Sequence, residues 1–269
     1  MVEIVSYKEK VMKMEKEKKP YGTVLVRASK IMDFLAESTA TECLKDIASA
    51  TGMTTSTTLK ILDTLLMIGY VTRDKGSKEY SLGPSLVRYA NKYINDSVLV
   101  KVATPLLEEL HELVDETIHL GIYSGNEVMY LNKLEPKKQS IYMTSKVGST
   151  RPLYSSAMGK AILATFTEKE LVDYLAKTEL VPFTANTMTN TMALRADIDK
   201  VKGLGVAFDD EEMEQDCFCI GATIRLEDNQ YGAFSVSMPK FRVTEAKKAE
   251  LIQLIKATKA GIEKEIAEG

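Results

Sequence analysis

Residues 54–58 read Thr-Thr-Ser-Thr-Thr, five hydroxyl side chains in a row just after Gly52. Such a run is a poor helix former, because short hydroxyls compete for backbone hydrogen bonds. Yet Leu59, Leu62, Leu65 and Leu66 beyond it recur at helical spacing and predict a helix capped by Thr54, with those leucines as its buried stripe. Upstream, Leu44, Ile47 and Ala48 share one face of a helix over residues 41–50 with Thr41 as N-cap. Gly52 can take the positive φ that ends a helix sharply. Downstream, residues 70–72 and 80–82 suit two short strands around a Lys75-Gly76-Ser77 turn, with Gly76 tolerating positive φ. Two helices about a tight turn, followed by a small hairpin, make a winged helix-turn-helix.

Stability alone does not select five hydroxyls at a helix start. At the N-terminal end of a recognition helix they reach phosphate oxygens and base edges, and the helix dipole favours a phosphate there. Thr54, Thr55, Ser56, Thr57, Thr58 and Lys60 are therefore candidate DNA contacts. Arg73, Lys75 and Lys78 near the hairpin tip add cations that neutralise phosphates. The blander readings are a capping-rich helix start, a solvated surface hairpin, and a winged helix used only for protein contacts.

Charge is distributed to match. The net charge is −3, which argues against a protein that coats nucleic acid. Residues 1–95 nevertheless carry 15 Lys and Arg against 11 Asp and Glu, while the remainder carries 20 against 27. A mildly basic part and an acidic part with a different task follow from that asymmetry. A length of 269 residues favours two compact domains. Cys43, Cys217 and Cys219 make no disulfide framework, and reduced thiols fit a cytoplasmic location. No apolar run is long enough for a membrane span, and the N-terminus lacks the apolar core of a signal peptide.

Four segments are expected. Residues 1–22, dominated by Lys and Glu, form a charged tail, either a surface helix or a mobile segment. Residues 23–83 are the winged helix, opened by a helix carrying Ala28, Ile31, Met32 and Leu35 on one face. Residues 84–97 form a linker helix whose apolar stripe, Leu86, Val87, Ala90 and Ile94, wants a partner and suits pairing across a dimer. Residues 98–269 form an α+β domain. It holds a helix around residues 106–113, a hairpin over 117–134 turning at Gly125-Asn126, and a strand over 140–145. A helix lies within 152–166, and others span 168–177 and 193–203. Strands follow at 206–208, 217–226 and 231–238, with a turn at 228–230, before a closing helix over 244–267.

The chain resembles the IclR family of bacterial transcriptional regulators from about Gly22 to the C-terminus. The resemblance is carried by residues 47–52 (Ile-Ala-Ser-Ala-Thr-Gly), 56–62 (Ser-Thr-Thr-Leu-Lys-Ile-Leu), 69–71 and 80–83. It continues through 151–164 (Arg-Pro-Leu-Tyr-Ser-Ser-Ala-Met-Gly-Lys-Ala-Ile-Leu-Ala), 219–222 and 235–239. It implies a winged helix, a linker helix and a GAF/PAS-like effector domain with an antiparallel sheet. It also implies dimers, often paired into tetramers, that bind operator DNA, more often as repressor than activator, and respond to a small metabolite. By matching motifs the effector site is lined by Ala157, Met158, Asp209, Cys219, Ser235 and Ser237. The chain departs from the family at Cys217, where Gly is frequent, at Thr223, where Pro is usual, and at Lys60, where Arg is common. Lysine cannot form the bidentate fork of arginine.

The residues add chemistry to that outline. Ser155 and Ser156 open a helix whose free N–H groups favour a carboxylate or phosphate. Ser235 and Ser237 project from one face of a strand. Those two serines either line a pocket or face solvent. A small organic anion, such as a carboxylate or sugar acid, is the expected ligand, with Met143, Met158 and Ile220 as apolar contacts. Gly159-Lys160 lacks the glycine and Ser/Thr of a phosphate loop. Cys217-x-Cys219 with Asp209, Asp216 or His119 departs from usual metal-ligand spacing, so core cysteines are the preferred reading and no metal or cofactor is expected. No base is fixed beside a nucleophile, so the chain is read as no enzyme. An enzyme of small organic-acid metabolism with a DNA-binding appendage is the alternative.

Overall fold

The computed structural model describes residues 21–139, 143–225 and 231–268. Residues 1–20 of the expected tail over 1–22, and the turn at 228–230, lie outside them. The chain divides into two compact units, one up to Lys92 and one from Tyr93.

The first unit packs three helices and a hairpin: α1 (Thr23–Glu37), α2 (Leu44–Ala50), α3 (Thr55–Met67), β1 (Val71–Arg73) and β2 (Tyr80–Leu82). Ile31, Leu35, Ile47, Ile61, Leu62 and Leu65 close its core with Val71 and Tyr80. Helix α2 starts at Leu44, three residues later than expected. Glu42 instead pairs with Tyr80 as a β-bridge, and Thr41 Oγ1 donates to Glu79. Gly52, at φ 65°, turns the chain between α2 and α3 as expected. In the hairpin the left-handed residue is Lys78 (φ 62°), not Gly76. The Asp74 carboxylate makes that possible by accepting from the N–H groups of Gly76 and Ser77, both at 2.8 Å. Helix α4 (Ser85–Asp96) buries none of its side chains.

The second unit is built on one six-stranded sheet, antiparallel throughout. Its strands are β3 (Thr117–Ser124), β4 (Glu127–Leu134), β5 (Thr150–Pro152), β6 (Ala207–Asp210), β7 (Cys217–Arg225) and β8 (Tyr231–Pro239), in the order β5-β4-β3-β8-β7-β6. Of the strand expected over residues 140–145, residues 143–145 are irregular and 140–142 lie outside the described residues. Helices α5 (Val98–Val114) and α9 (Glu245–Glu268) cover one face, where Leu107, Leu110, Ile118, Ile220, Phe234, Val236 and Ile255 form the main core. The opposite face carries α6 (Ala157–Leu163), with α7 (Glu168–Lys177) and α8 (Thr191–Leu204) packed beside it. The chain is thus α+β, a winged helix followed by helices on both faces of an antiparallel sheet.

Candidate functional site

The α3 surface follows from its N-cap. Thr54 accepts from the Thr57 N–H and donates to Thr57 Oγ1, which fixes the first turn. That phase leaves Thr55, Ser56, Leu59, Lys60, Asp63 and Met67 exposed. Thr58 points inward, fully buried, and donates to the Thr54 carbonyl at 3.0 Å. Thr58 is therefore no DNA contact, a correction to the five-hydroxyl reading. Ile61 takes the core place assigned to Leu59, and Leu66 is only partly buried. Leu59, missed by the sequence reading because an apolar side chain suggests core, sits outside between Ser56 and Lys60. There it suits a thymine methyl. Arg73, Lys75 and Lys78 are exposed on the hairpin, and Arg73 Nε donates to the Lys78 carbonyl, so part of its guanidinium holds the wing together.

In the second unit the sheet register assembles a polar face. Asp209 pairs with Cys219, Cys219 with Ser237, and Ser237 with Thr117. Two residues along, Ala207, Gly221, Ser235, His119 and Lys133 form the next row on the same side. The start of α6 lies over these rows. A Cβ on Gly221 would stand 2.8 Å from the Ala157 carbonyl carbon and the Met158 nitrogen, so only glycine permits that approach. Ala157, Met158, Asp209, Cys219, Ser235 and Ser237 therefore converge. Ile220 does not join them, because strand alternation turns it to the main core. The helix start is also less open than expected. Ser156 caps it by accepting from the Gly159 N–H and donating to the Pro152 carbonyl, and every residue of α6 is buried.

Several groups with no legible spacing complete the face. His119 is buried, stacked on Tyr130 at 4.7 Å, and its Nε2 meets Ser145 Oγ at 2.6 Å while Nδ1 meets Ser237 Oγ at 3.3 Å. Burial, with Lys133 and Arg151 adding to it, pushes this imidazole down to about 3, so it is neutral and a weak base. Burial raises Asp209 to about 6 although the N–H groups of Glu212 and Met213 donate to it. Burial likewise raises Glu212 to about 7. The buried Lys160 ammonium ties Glu212 (2.5 Å) to Asp197 (2.9 Å). The Cys219 thiol is pushed up, first by its hydrogen bond with Cys217 and then by burial.

Comparison with known proteins decides the family. The IclR helix-turn-helix domain matches residues 24–75, and the bacterial transcriptional regulator IclR C-terminal domain matches residues 91–264. The chain belongs to the IclR family. It is 33% identical over 224 residues to the HTH-type transcriptional regulator BhcR of Paracoccus denitrificans (strain Pd 1222), covering 83% of this chain and 80% of that protein. It is 29% identical to the HTH-type transcriptional repressor AllR of Escherichia coli (strain K12), over 87% of this chain and 86% of that one. The crystal structure of the Thermotoga maritima IclR matches 91% of this chain and 98% of its own at 32% identity and a TM-score of 0.69. A helix-turn-helix domain ahead of an IclR C-terminal domain is thus the IclR arrangement, and the chain is a DNA-binding transcriptional regulator. Among the described residues, no helix is long and apolar enough to cross a membrane.

Proposed function

We propose that this IclR-family regulator acts as a repressor whose operator binding is controlled by a small organic acid held between α6 and the polar face of the sheet. The observation that carries this reading is the convergence of Asp209, Cys219, Ser235 and Ser237 beneath Ala157 and Met158. Buried polar side chains on a sheet face cost stability unless they are paired, and a site that keeps them is paying for recognition. The chemistry favours a hydroxy or sugar acid. Ser235 and Ser237 supply neutral donors, Lys133 and Arg151 set a positive field, and Asp209 is an acceptor for a ligand hydroxyl. In the winged helix, Thr54, Thr55, Ser56, Thr57 and Lys60, with Arg73, Lys75 and Lys78, contact the operator. Repression is favoured by the likeness to a protein named as a repressor.

The test is a thermal-shift screen of the full chain against small carboxylates and sugar acids, paired with fluorescence anisotropy on operator DNA. A ligand that raises the melting temperature and releases DNA is expected, and Ser235→Ala with Ser237→Ala should blunt both effects while leaving ligand-free DNA affinity intact. A ligand consumed during the screen would overturn the regulator reading in favour of an enzyme.

A further inference from the structure

The expectation of no bound metal rests on ligand spacing along the chain, and spacing does not see a ligand that arrives from another segment. Cys217 and Cys219 stand two apart on β7, and their sulfurs lie 3.7 Å from each other. A third sulfur lies on the other side of the contact: Met143 Sδ, 74 residues earlier in the chain, is 3.5 Å from Cys217 Sγ. Two sulfurs about 2.3 Å from a shared ion stand about 3.8 Å apart at a tetrahedral angle and about 4.0 Å apart at a trigonal one. The two observed separations, both measured from Cys217, lie within about 0.3 Å of the tetrahedral value.

We propose that Cys217, Cys219 and Met143 form a binding site for Cu(I), with two thiolates and one thioether as ligands. Thioether and thiolate sulfur select this soft monovalent cation, whereas a thioether adds little for Zn(II). Among the described residues no group of three His, Cys, Asp or Glu is placed to hold a metal, so a cation that cannot use the methionine finds only two ligands here. A disulfide does not compete well for the pair, since residues two apart on a strand hold their Cα atoms about 6.6–6.8 Å apart, at the upper limit for a bridge. Binding releases one proton from each thiol and leaves a complex of charge −1. The Lys133 ammonium, which donates to the carbonyls of Met143 (2.8 Å) and Ser145 (2.9 Å), sits on the segment that carries the thioether and offsets that charge. Met143 and Cys219 are both partly exposed, so the ion has a way in. Cys217 stands at one of the positions where the chain departs from its family resemblance.

The experiment is an anaerobic Cu(I) titration of the reduced full chain against a chromophoric Cu(I) chelator, with Zn(II) titrated in parallel. One Cu(I) per chain is expected to be withdrawn from the chelator. Cys217→Ser should lower the affinity at least a hundredfold and Met143→Leu about tenfold, while Cys43→Ser, in the other unit, leaves it unchanged. X-ray absorption of the copper-loaded chain should show sulfur ligands alone. The proposal is overturned if no copper is withdrawn, if Cys217→Ser folds with an unchanged melting curve and binds like the parent, if Zn(II) binds tighter than Cu(I), or if nitrogen or oxygen fills the first shell. Cys219 also lines the proposed effector site, so bound copper should exclude the organic acid. That competition rests on the effector reading, whereas the copper titration stands without it.

Discussion

Asp209 and His119 pull stability in opposite directions with pH, and the difference is measurable one residue at a time. Asp209 rises from 3.8 to about 6 on folding. Between pH 4 and 6 the folded chain therefore keeps a proton that the unfolded chain has released, so this group's contribution falls as pH rises and is spent above 6. His119 drops from 6.5 to about 3. The unfolded chain takes up a proton below pH 6.5 that the folded chain refuses, so stability is lost as pH falls from 6.5 to 3. Asp209→Asn keeps an acceptor for the two N–H donors but removes the ionisation. Its stability relative to the parent should improve by up to about 3 kcal/mol between pH 4 and 7, read from urea midpoints; a constant offset would show that the carboxyl is not buried as described. Gly221→Ala tests the close approach above the same face. A Cβ there meets backbone atoms at 2.8 Å, so a loss of about 2–3 kcal/mol is expected, together with a weakened ligand response in the thermal-shift screen.

At the scale of elements, α3 separates what holds the helix from what reads DNA. Thr58→Val keeps shape but removes the hydroxyl that caps the Thr54 carbonyl. It should cost about 1 kcal/mol in chemical denaturation and leave operator affinity unchanged. Lys60→Ala should do the reverse, weakening operator binding in anisotropy and lowering the salt slope by about 1, with an unchanged melting curve. If Thr58→Val alone lost DNA affinity, the inward orientation would be wrong. The periodicity of α3 was legible in the sequence, but its phase was not, because both Leu59 and Thr58 fit a helix facing either way. The Thr54 cap and the self-satisfied Thr58 hydroxyl set that phase locally. The hairpin over β3 and β4, the helices and the last two strands were legible from alternation and turn residues. Met143 was named only as an apolar contact and His119 only as a disfavoured metal ligand, while Ser145 and Arg151 were not named as site residues, because these groups meet through register and a loop rather than through any sequence interval. Glu212 was also hidden, since one glutamate within the acidic run Asp209-Asp210-Glu211-Glu212 gives no hint that it pairs with the buried Lys160.

For the whole molecule, α4 stands out because it buries no side chain, although Tyr89 meets Tyr70 edge-to-face. Val87, Tyr89 and Tyr93 are exposed along it, and α1 exposes Val24, Leu25 and Val26. We propose that such residues meet a second copy and that a dimer places two α3 helices in successive major grooves. Val87→Glu with Tyr93→Glu should shift the sedimentation profile toward monomer and weaken operator binding about a hundredfold, as expected when two linked sites become one. A parent chain that sediments as monomer at micromolar concentration would contradict this.

The central seam of the sheet joins Thr117 to Ser237 and His119 to Ser235, pairing a strand made early in the second unit with one made near its end. Contacts so distant along the chain form late, because the intervening loop must first be closed. During synthesis the β3–β4 hairpin therefore waits, with one edge unpaired, until β8 has left the ribosome. The hydroxyl of Ser237 reaches His119 only at that moment. A ligand that grips this row would then bind nascent chains only after they are long enough to be finished, and a truncated regulator would be blind to its signal even where its DNA-reading part has already folded.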